Sequence, residues 1–85
     1  MEIFYTPTFV RQFNILEEDL RNEVIERIEL FKNKKNHKLL KVHKLKGSLQ
    51  GRYSFSVNYK TRIVFSYISK NEALLFVVGD HDVYK

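Results

Sequence analysis

The sequence of 85 residues contains no cysteine and no tryptophan, one proline and only three glycines. Without cysteine there are no disulfides, no thiolate nucleophile and no cysteine-ligated metal, so the core must form from aliphatic side chains together with seven Phe and five Tyr. A chain of this length predicts a single domain, residues 1–85, that buries only about 60% of its unfolded surface. Such a domain is too small for a large enclosed cofactor cavity, and we expect no cofactor.

Long hydrophobic runs are also missing. No apolar stretch approaches the roughly 20 residues that a membrane span requires. The first residues lack the basic start and apolar segment of a signal peptide. We therefore expect a cytoplasmic protein with no membrane partner, and the absence of cysteine fits a reducing compartment.

Carboxylates are absent from the middle of the chain. Residues 1–31 carry a net charge of −4, residues 32–62 contain ten Lys or Arg and no acid, and residues 63–85 carry −1. The total charge of +5 is therefore unevenly distributed. The basic segment at 32–62 repels itself unless it is solvated or faces a polyanion. The pattern favours a nucleic-acid partner, and a solvated basic surface is the alternative.

The N-terminal third predicts a strand followed by two helices. Residues 2–6 are rich in β-forming side chains, and Thr6 can cap a helix of about two turns that begins with Pro7. The segment from Asn14 to Glu17 has the form of a capping box, in which each side chain binds the backbone of the other residue. We therefore expect the second helix to begin at this segment.

The second helix has an apolar stripe and a charged outer face. The stripe predicts that the helix runs to about Lys34. Pairs four residues apart, Glu17–Arg21 and Glu23–Arg27, are expected on the outer face. Apolar residues recur at spacings of three and four: Leu16, Leu20, Val24, Ile28 and Phe31.

The C-terminal half predicts three strands. Residues 53–57 alternate apolar and polar side chains, and apolar strands at 63–68 and 73–78 follow short polar turns at 58–61 and 69–72. Such short connections imply an antiparallel meander, and the last strand, apolar on both faces, belongs in the sheet interior. The predicted fold is α+β with the order β-α-α-β-β-β, two N-terminal helices packed on a mainly antiparallel four-stranded sheet.

Most catalytic arrangements are absent from this sequence. It has no Ser-His-Asp order, no Gly-rich phosphate loop and no pair of acids spaced for glycoside hydrolysis. A zinc site would need His81 and Asp82 to join His37 and His43, so we expect no metal site. What remains is a concentration of Lys, Arg and His.

This set suits RNA cleavage by attack of a 2′-hydroxyl on the adjacent phosphate. The reaction needs a base at the hydroxyl, cations around the phosphate and an acid for the departing 5′-oxygen. The guanidinium fork of Arg matches phosphate oxygens, and His acts as base or acid near neutral pH. Lys becomes a base where neighbouring cations and burial lower its pKa.

The strand pattern brings several of these residues together. The core side of the strand at 53–57 takes its apolar residues, so Arg52 points to the other face, where Arg62 of the next strand also lies. We expect this face of the hairpin, which lies opposite the core side, to be open and to bind phosphate beside His43, Lys44 and Lys46. Further phosphate-binding candidates are Lys41 and Lys60.

Four segments in the second half of the chain carry a family resemblance: His-Lys-Leu-Lys-Gly at 43–47, Gly-Arg-Tyr-Ser-Phe-Ser-Val-Asn at 51–58, Tyr-Lys-Thr-Arg-Ile-Val-Phe at 59–65 and Val-Gly-Asp-His-Asp-Val-Tyr at 78–84. Taken in order, they resemble the RelE/ParE superfamily of bacterial toxins, with the closest fit to its RelE/YafQ-type branch. The resemblance covers nearly the whole chain, and the C-terminal half carries its specificity.

The resemblance implies the toxin of a type II toxin–antitoxin system that cleaves mRNA in the ribosomal A site. A cognate antitoxin would neutralise it, and the complex would bind operator DNA through that antitoxin. Arg62 matches the family's phosphate-stabilising arginine, and Tyr84 matches a tyrosine at the scissile site. His43 and His81 match the catalytic histidines of YafQ-like members.

The sequence departs from the family pattern at three places. Ser54 and Ser56 stand near the positions of paired lysines in RelE-like toxins, and a YafQ-like histidine also falls near Ser56. The YafQ-like Asp-Trp step is replaced at 60–61. The resemblance therefore leaves the identity of the general base undetermined.

We accordingly assign three parts of the reaction on the open face. His43 or Lys46 takes the proton of the 2′-hydroxyl, and His81 or Tyr84 protonates the leaving oxygen. The phosphate lies between Arg62 and Arg52.

Two rival functions share this fold. One is a ParE-like toxin that inhibits DNA gyrase and cleaves no RNA, and the other is a non-catalytic module that binds RNA or an antitoxin. ParE-like toxins generally lack a catalytic His and Arg set, so the residues at 43, 62, 81 and 84 favour the nuclease.

Overall fold

A mixed five-stranded sheet and two helices make up the described part of the chain, residues 1–47 and 51–80 of a computed structural model. The helices are α1 (Pro7–Asn14) and α2 (Glu18–Phe31), followed by a 3₁₀ turn at Lys34–Asn36. The strands are β1 (Glu2–Tyr5), β2 (His43–Lys44), β3 (Tyr53–Ser56), β4 (Thr61–Ser69) and β5 (Glu72–Asp80).

The spatial order of the strands is β1-β5-β4-β3-β2. The predicted α+β class and the antiparallel meander of β3, β4 and β5 are confirmed, while β1 runs parallel to β5. The predicted number of four strands is wrong because β2 adds a fifth at the edge. The sequence could not predict β2, because its two residues are exposed and too few to show a hydrophobic period. They form a strand only because they pair with the free edge of β3.

The start of α1 follows the sequence prediction. The Thr6 hydroxyl accepts from the Phe9 amide at 3.0 Å, and Pro7 occupies the first helical position, where no amide hydrogen is needed. The same hydroxyl donates to the Phe76 carbonyl of β5 at 2.8 Å. A single side chain thus caps the helix and fixes it to the sheet.

The start of α2 differs from the prediction. Asn14 is the last residue of α1, and Glu17 is the N-cap of α2 without a side-chain capping bond, so the proposed capping box is wrong. Phe9 and Phe13 stack on one another with centroids 6.5 Å apart, and this packing carries α1 through Asn14. Arg21 donates to the Leu16 carbonyl instead of pairing with Glu17.

The end of α2 lies three residues before the predicted Lys34. The Asn36 side-chain amide donates to the Leu30 carbonyl at 2.9 Å, and His37 Nε2 lies 2.8 Å from the Phe31 carbonyl. These two side chains satisfy carbonyls that a continuing helix would have used. The chain therefore leaves the helix at Phe31 and turns towards the edge of the sheet.

Three phenylalanines join α2 to the sheet. Phe31 stacks on Phe55 of β3 with centroids 4.4 Å apart and meets Phe65 of β4 edge-on at 4.7 Å. All three are fully buried. The His37 ring stacks on Phe31 at 4.7 Å, so the residue that caps the helix also extends the aromatic cluster.

Strand β5 lies between β1 and β4, which confirms its predicted interior position. Val64 pairs with Val77 and Phe65 pairs with Leu75, so Phe76 is an extra residue in the β5 ladder. Beyond β1, the Val78 amide donates to the Gln12 side chain of α1 at 2.9 Å. Helix α1 thereby satisfies the part of the β5 edge that β1 does not reach.

Within residues 1–47 and 51–80, neither helix is long and apolar enough to cross a membrane.

Truncation of Phe31 should strongly lower the stability of the domain. Phe31→Ala removes the ring that joins α2 to β3 and β4, and we expect a loss of about 3–5 kcal/mol in the free energy of unfolding. Urea denaturation followed by circular dichroism measures it. Ile15→Ala, at a side chain 84% exposed, is the control and should change stability by less than about 0.5 kcal/mol. Equal losses in the two variants would contradict the central place given to Phe31.

Candidate functional site

The sheet face opposite the helices is called the open face below. On β3 it carries Ser54 and Ser56, and their direct partners on β4 are Val64 and Arg62. The intervening Phe55 belongs to the core under the helices. The alternation predicted from the sequence therefore holds across this hairpin.

His43 reaches the open face from the edge strand β2. It pairs directly with Ser54 of β3, and its side chain is exposed. Its Nδ1 lies 2.9 Å from the Lys41 carbonyl, which can only accept, so Nδ1 carries the hydrogen in the neutral ring. Nε2 then keeps a lone pair, and the Ser54 hydroxyl lies 3.4 Å from it.

The Lys41 carbonyl is positioned by an unusual backbone conformation. Lys41 has a φ of 58°, in the left-handed region where glycine is the common residue. The Lys41 amide donates to the Lys38 carbonyl and the Val42 amide to the His37 carbonyl, so one helical turn closes here. This turn directs the chain into β2 and places the carbonyl against His43.

Ser54 lies at the centre of the open face and is fully buried. It stands between His43 on one side and Val64 on the other. The sequence identified Ser54 as a departure from a lysine pattern and missed its contact with His43. That contact depends on the pairing of β2 with β3, for which no local sequence signal exists.

Arg62 is held by the turn between β3 and β4. Its Nη1 donates to the Asn58 carbonyl at 2.6 Å and to the Thr61 carbonyl at 3.3 Å. The Asn58 side chain accepts from the backbone amides of Lys60 and Thr61, both at 2.8 Å, which fixes the turn itself. Among residues 1–47 and 51–80, the hydrogen bonds of Arg62 use Nη1, and the guanidinium has further hydrogens on Nε and Nη2 that can meet an anion.

Arg52 lies on the same face as Arg62 but is held differently. Its guanidinium carbon stands 3.6 Å from the centroid of the Phe76 ring, a cation–π contact that reaches across the sheet to β5. Phe76 is the extra residue of the β5 ladder. The sequence placed Arg52 on this face and gave no sign of the aromatic ring beneath it.

The structure separates the other predicted site residues. Lys44 pairs with Tyr53, so it lies on the opposite face of β2 from His43, which corrects its expected place on the open face. Lys46 follows β2 and is exposed, and Lys41 and Lys60 are exposed on the turns that flank β2 and β4. No three His, Asp or Glu side chains of residues 1–47 and 51–80 gather as metal ligands.

His81 and Tyr84, the two candidates for the acid, lie outside the described residues. Their parts in the reaction stay predictions.

The two described histidines that bind carbonyls should be opposite tautomers. In the neutral form of each ring, one of the two nitrogens carries the hydrogen. His43 should then carry its hydrogen on Nδ1 and His37 on Nε2, because each donates to a backbone carbonyl. Long-range ¹H–¹⁵N spectra distinguish the two forms. An Nε2-protonated His43 would contradict the contact with Lys41.

Neither a protein-family model nor a curated protein sequence matches this chain. Solved structures match it over almost its whole length. YafQ from E. coli superposes with a TM-score of 0.79 at 14% identity, covering 98% of this chain and 96% of its own.

Two further matches come from complexes. A chain of the YoeB-YefM complex from Staphylococcus aureus has a TM-score of 0.76 at 19% identity and covers 95% of this chain and 97% of its own. A chain of the toxin–antitoxin complex RelBE2 from Mycobacterium tuberculosis has a TM-score of 0.71 at 16% identity, with 94% and 96% covered. The chain therefore has the RelE-like fold that these toxin structures share, as its sequence resemblance predicts.

Proposed function

We propose that the protein is the toxin of a type II toxin–antitoxin system and cleaves mRNA as a metal-independent endoribonuclease, with the ribosome presenting the substrate. One observation carries the proposal. A histidine of fixed tautomer, His43, shares the open face with Arg52 and Arg62 in a protein with the RelE-like fold.

His43 is the favoured base. Its Nε2 lone pair can accept the proton of the 2′-hydroxyl while the Lys41 carbonyl stabilises the ring through Nδ1. The Ser54 hydroxyl lies 3.4 Å from Nε2 and can donate to its lone pair. Lys46, exposed beyond β2, is the alternative base.

Arg62 and Arg52 stabilise the phosphate as negative charge builds on its equatorial oxygens. From strand spacing, the backbone of His43 lies about 10 Å across and about 7 Å along the sheet from that of Arg62. Both side chains are long enough to meet at a phosphate between them. The Asn58 carbonyl holds Nη1 of Arg62 at the turn, on the side away from His43, so the guanidinium has to turn back along the strand to meet that phosphate.

The reaction balances as a transesterification. The 2′-oxygen forms a bond to phosphorus, the bond from phosphorus to the 5′-oxygen breaks, and the products are a 2′,3′-cyclic phosphate and a 5′-hydroxyl. The base takes one proton, and His81 or Tyr84 returns one to the leaving oxygen. Lys41, Lys46 and Lys60, all exposed, supply further positive charge along the RNA.

The proposal includes a protein partner. Two of the matching structures are complexes, YoeB-YefM and the toxin–antitoxin complex RelBE2, so we propose a cognate antitoxin for this chain as well. Acidic side chains on that antitoxin would complement the basic residues 32–62. The complex would bind operator DNA through the antitoxin, and the protein would act in the cytoplasm.

Expression in bacteria tests the nuclease. The wild-type protein should arrest growth, and mRNA cleavage by purified protein with ribosomes should fall about 100-fold or more in Arg62→Ala because the charge at the phosphate is lost. Arg11→Ala on α1 is the matched control and should cleave like wild type, since Arg11 is exposed on another element. Unchanged cleavage in Arg62→Ala would refute the assignment.

The same preparations separate the rival functions. Protein that leaves mRNA intact and inhibits supercoiling by gyrase would be a ParE-like toxin. Protein that binds RNA or an antitoxin, with neither activity, would be a non-catalytic module.

Salt should weaken RNA binding steeply. Each phosphate contact on a single strand contributes a slope of about −0.7 in log affinity against log salt, so three or four contacts predict a loss of about 20- to 50-fold between 50 and 200 mM salt. Fluorescence anisotropy with a labelled, non-cleavable RNA measures this dependence. A flat response would contradict the basic surface as the place of contact.

A further inference from the structure

A cavity of about 270 Å³ opens beside Arg62. Its wall includes Asn58, whose carbonyl accepts from Arg62, and Ser56, which pairs with Arg62 across the two strands. Arg27 of α2 and Lys41 line it from the other elements. The cavity therefore adjoins the place proposed for the reacting phosphate.

Arg27 brings a positive charge that no described residue neutralises. The sequence predicts a pair with Glu23, but Glu23 accepts from the Asn58 side-chain amide at 3.1 Å instead. Nε of Arg27 is buried without a hydrogen-bond partner, and in residues 1–47 and 51–80 the salt bridge formed is that of Lys32 with Glu29. A part-buried and unpaired guanidinium is costly, so an anion beside it would be stabilising.

Tyr59 supplies an aromatic surface at the same cavity. Its side chain is 88% exposed, although it stands in a turn where the Asn58 side chain accepts from the amides of Lys60 and Thr61. Leu39, also in the cavity lining, is 66% exposed. An exposed ring next to cationic side chains is the arrangement on which single-stranded nucleic acids stack their bases.

We propose that this cavity binds one nucleotide of the RNA, with its base stacked on Tyr59 and its phosphate held by Arg27 and Lys41. The inference rests on the proposed nuclease function and adds a subsite next to Arg62. The volume lies below the roughly 300 Å³ at which drug-sized sites begin, which suits one planar base. Ser56 and Asn58 provide polar groups for the base edge.

Nucleotide titration of the isotope-labelled wild-type protein tests the subsite without any cleavage. Added nucleoside 5′-monophosphates should shift the Nε–H signal of Arg27 and the ring signals of Tyr59. Inorganic phosphate should shift Arg27 and leave Tyr59 unchanged. If no nucleotide moves either residue at millimolar concentration, the subsite does not exist.

Variants test the subsite on RNA. Tyr59→Ala should bind a non-cleavable 2′-O-methyl RNA at least about fivefold more weakly, because the stacking platform is lost, and Tyr59→Phe should bind like wild type. Arg27→Met should also weaken binding. Lys38→Ala is the control for charge, because Lys38 is exposed in the basic segment but does not line the cavity. Thermal unfolding verifies that each variant folds.

The outcomes separate the subsite from the nuclease. If Tyr59→Ala binds RNA as tightly as wild type while Arg62→Ala loses cleavage, the subsite is wrong and the proposed function stands. If the wild type cleaves no RNA but nucleotides shift Arg27 and Tyr59, the nuclease proposal fails and the cavity remains a nucleotide site. An acidic peptide that binds there more tightly than nucleotides and displaces them would overturn the assignment in favour of a protein segment.

Discussion

The packing of Phe31 on Phe55 and Phe65 is the contact on which the rest of the structure depends. It joins the last turn of α2 to the two strands that carry the open face. Asn36 and His37 then satisfy the final carbonyls of the helix, so the chain leaves it at one defined place. A small domain has little other buried surface to fix this junction.

The position of His43 follows from that junction. The Val42 amide binds the His37 carbonyl, and Lys41 turns the backbone through the left-handed region. The Lys41 carbonyl then meets Nδ1 of His43, while β2 adds to the edge of β3. The orientation of one imidazole is thus set by a path that begins in the aromatic core.

At the end of the open face that carries Arg62, local hydrogen bonds fix the structure. Asn58 binds the turn between β3 and β4 with its side chain and Arg62 with its carbonyl. Its side-chain amide also donates to Glu23, the acid that the sequence pairs with Arg27. One asparagine therefore contacts both the arginine proposed for catalysis and the predicted partner of the arginine at the neighbouring cavity.

Much of the fold could be predicted because its signals are local. The spacing of apolar residues indicates α2, the alternation at 53–57 indicates β3, and Thr6 with Pro7 indicates the start of α1. The same patterns place Arg52 and Arg62 on one face. The capping box at Asn14, the end of α2 and the number of strands were wrong, because the packing of other elements decided each of them.

The sequence by itself determined the order of α1, α2 and the strands β1, β3, β4 and β5, the two sides of the sheet and the concentration of positive charge in residues 32–62. These follow from periodicity and composition, which act between near neighbours. Only the tertiary structure decided that Ser54 meets His43, that Asn58 holds Arg62 and that Phe76 lies under Arg52. A hydrogen bond or ring contact requires two groups within a few ångströms of one another, and folding alone sets that distance for residues on different strands and turns.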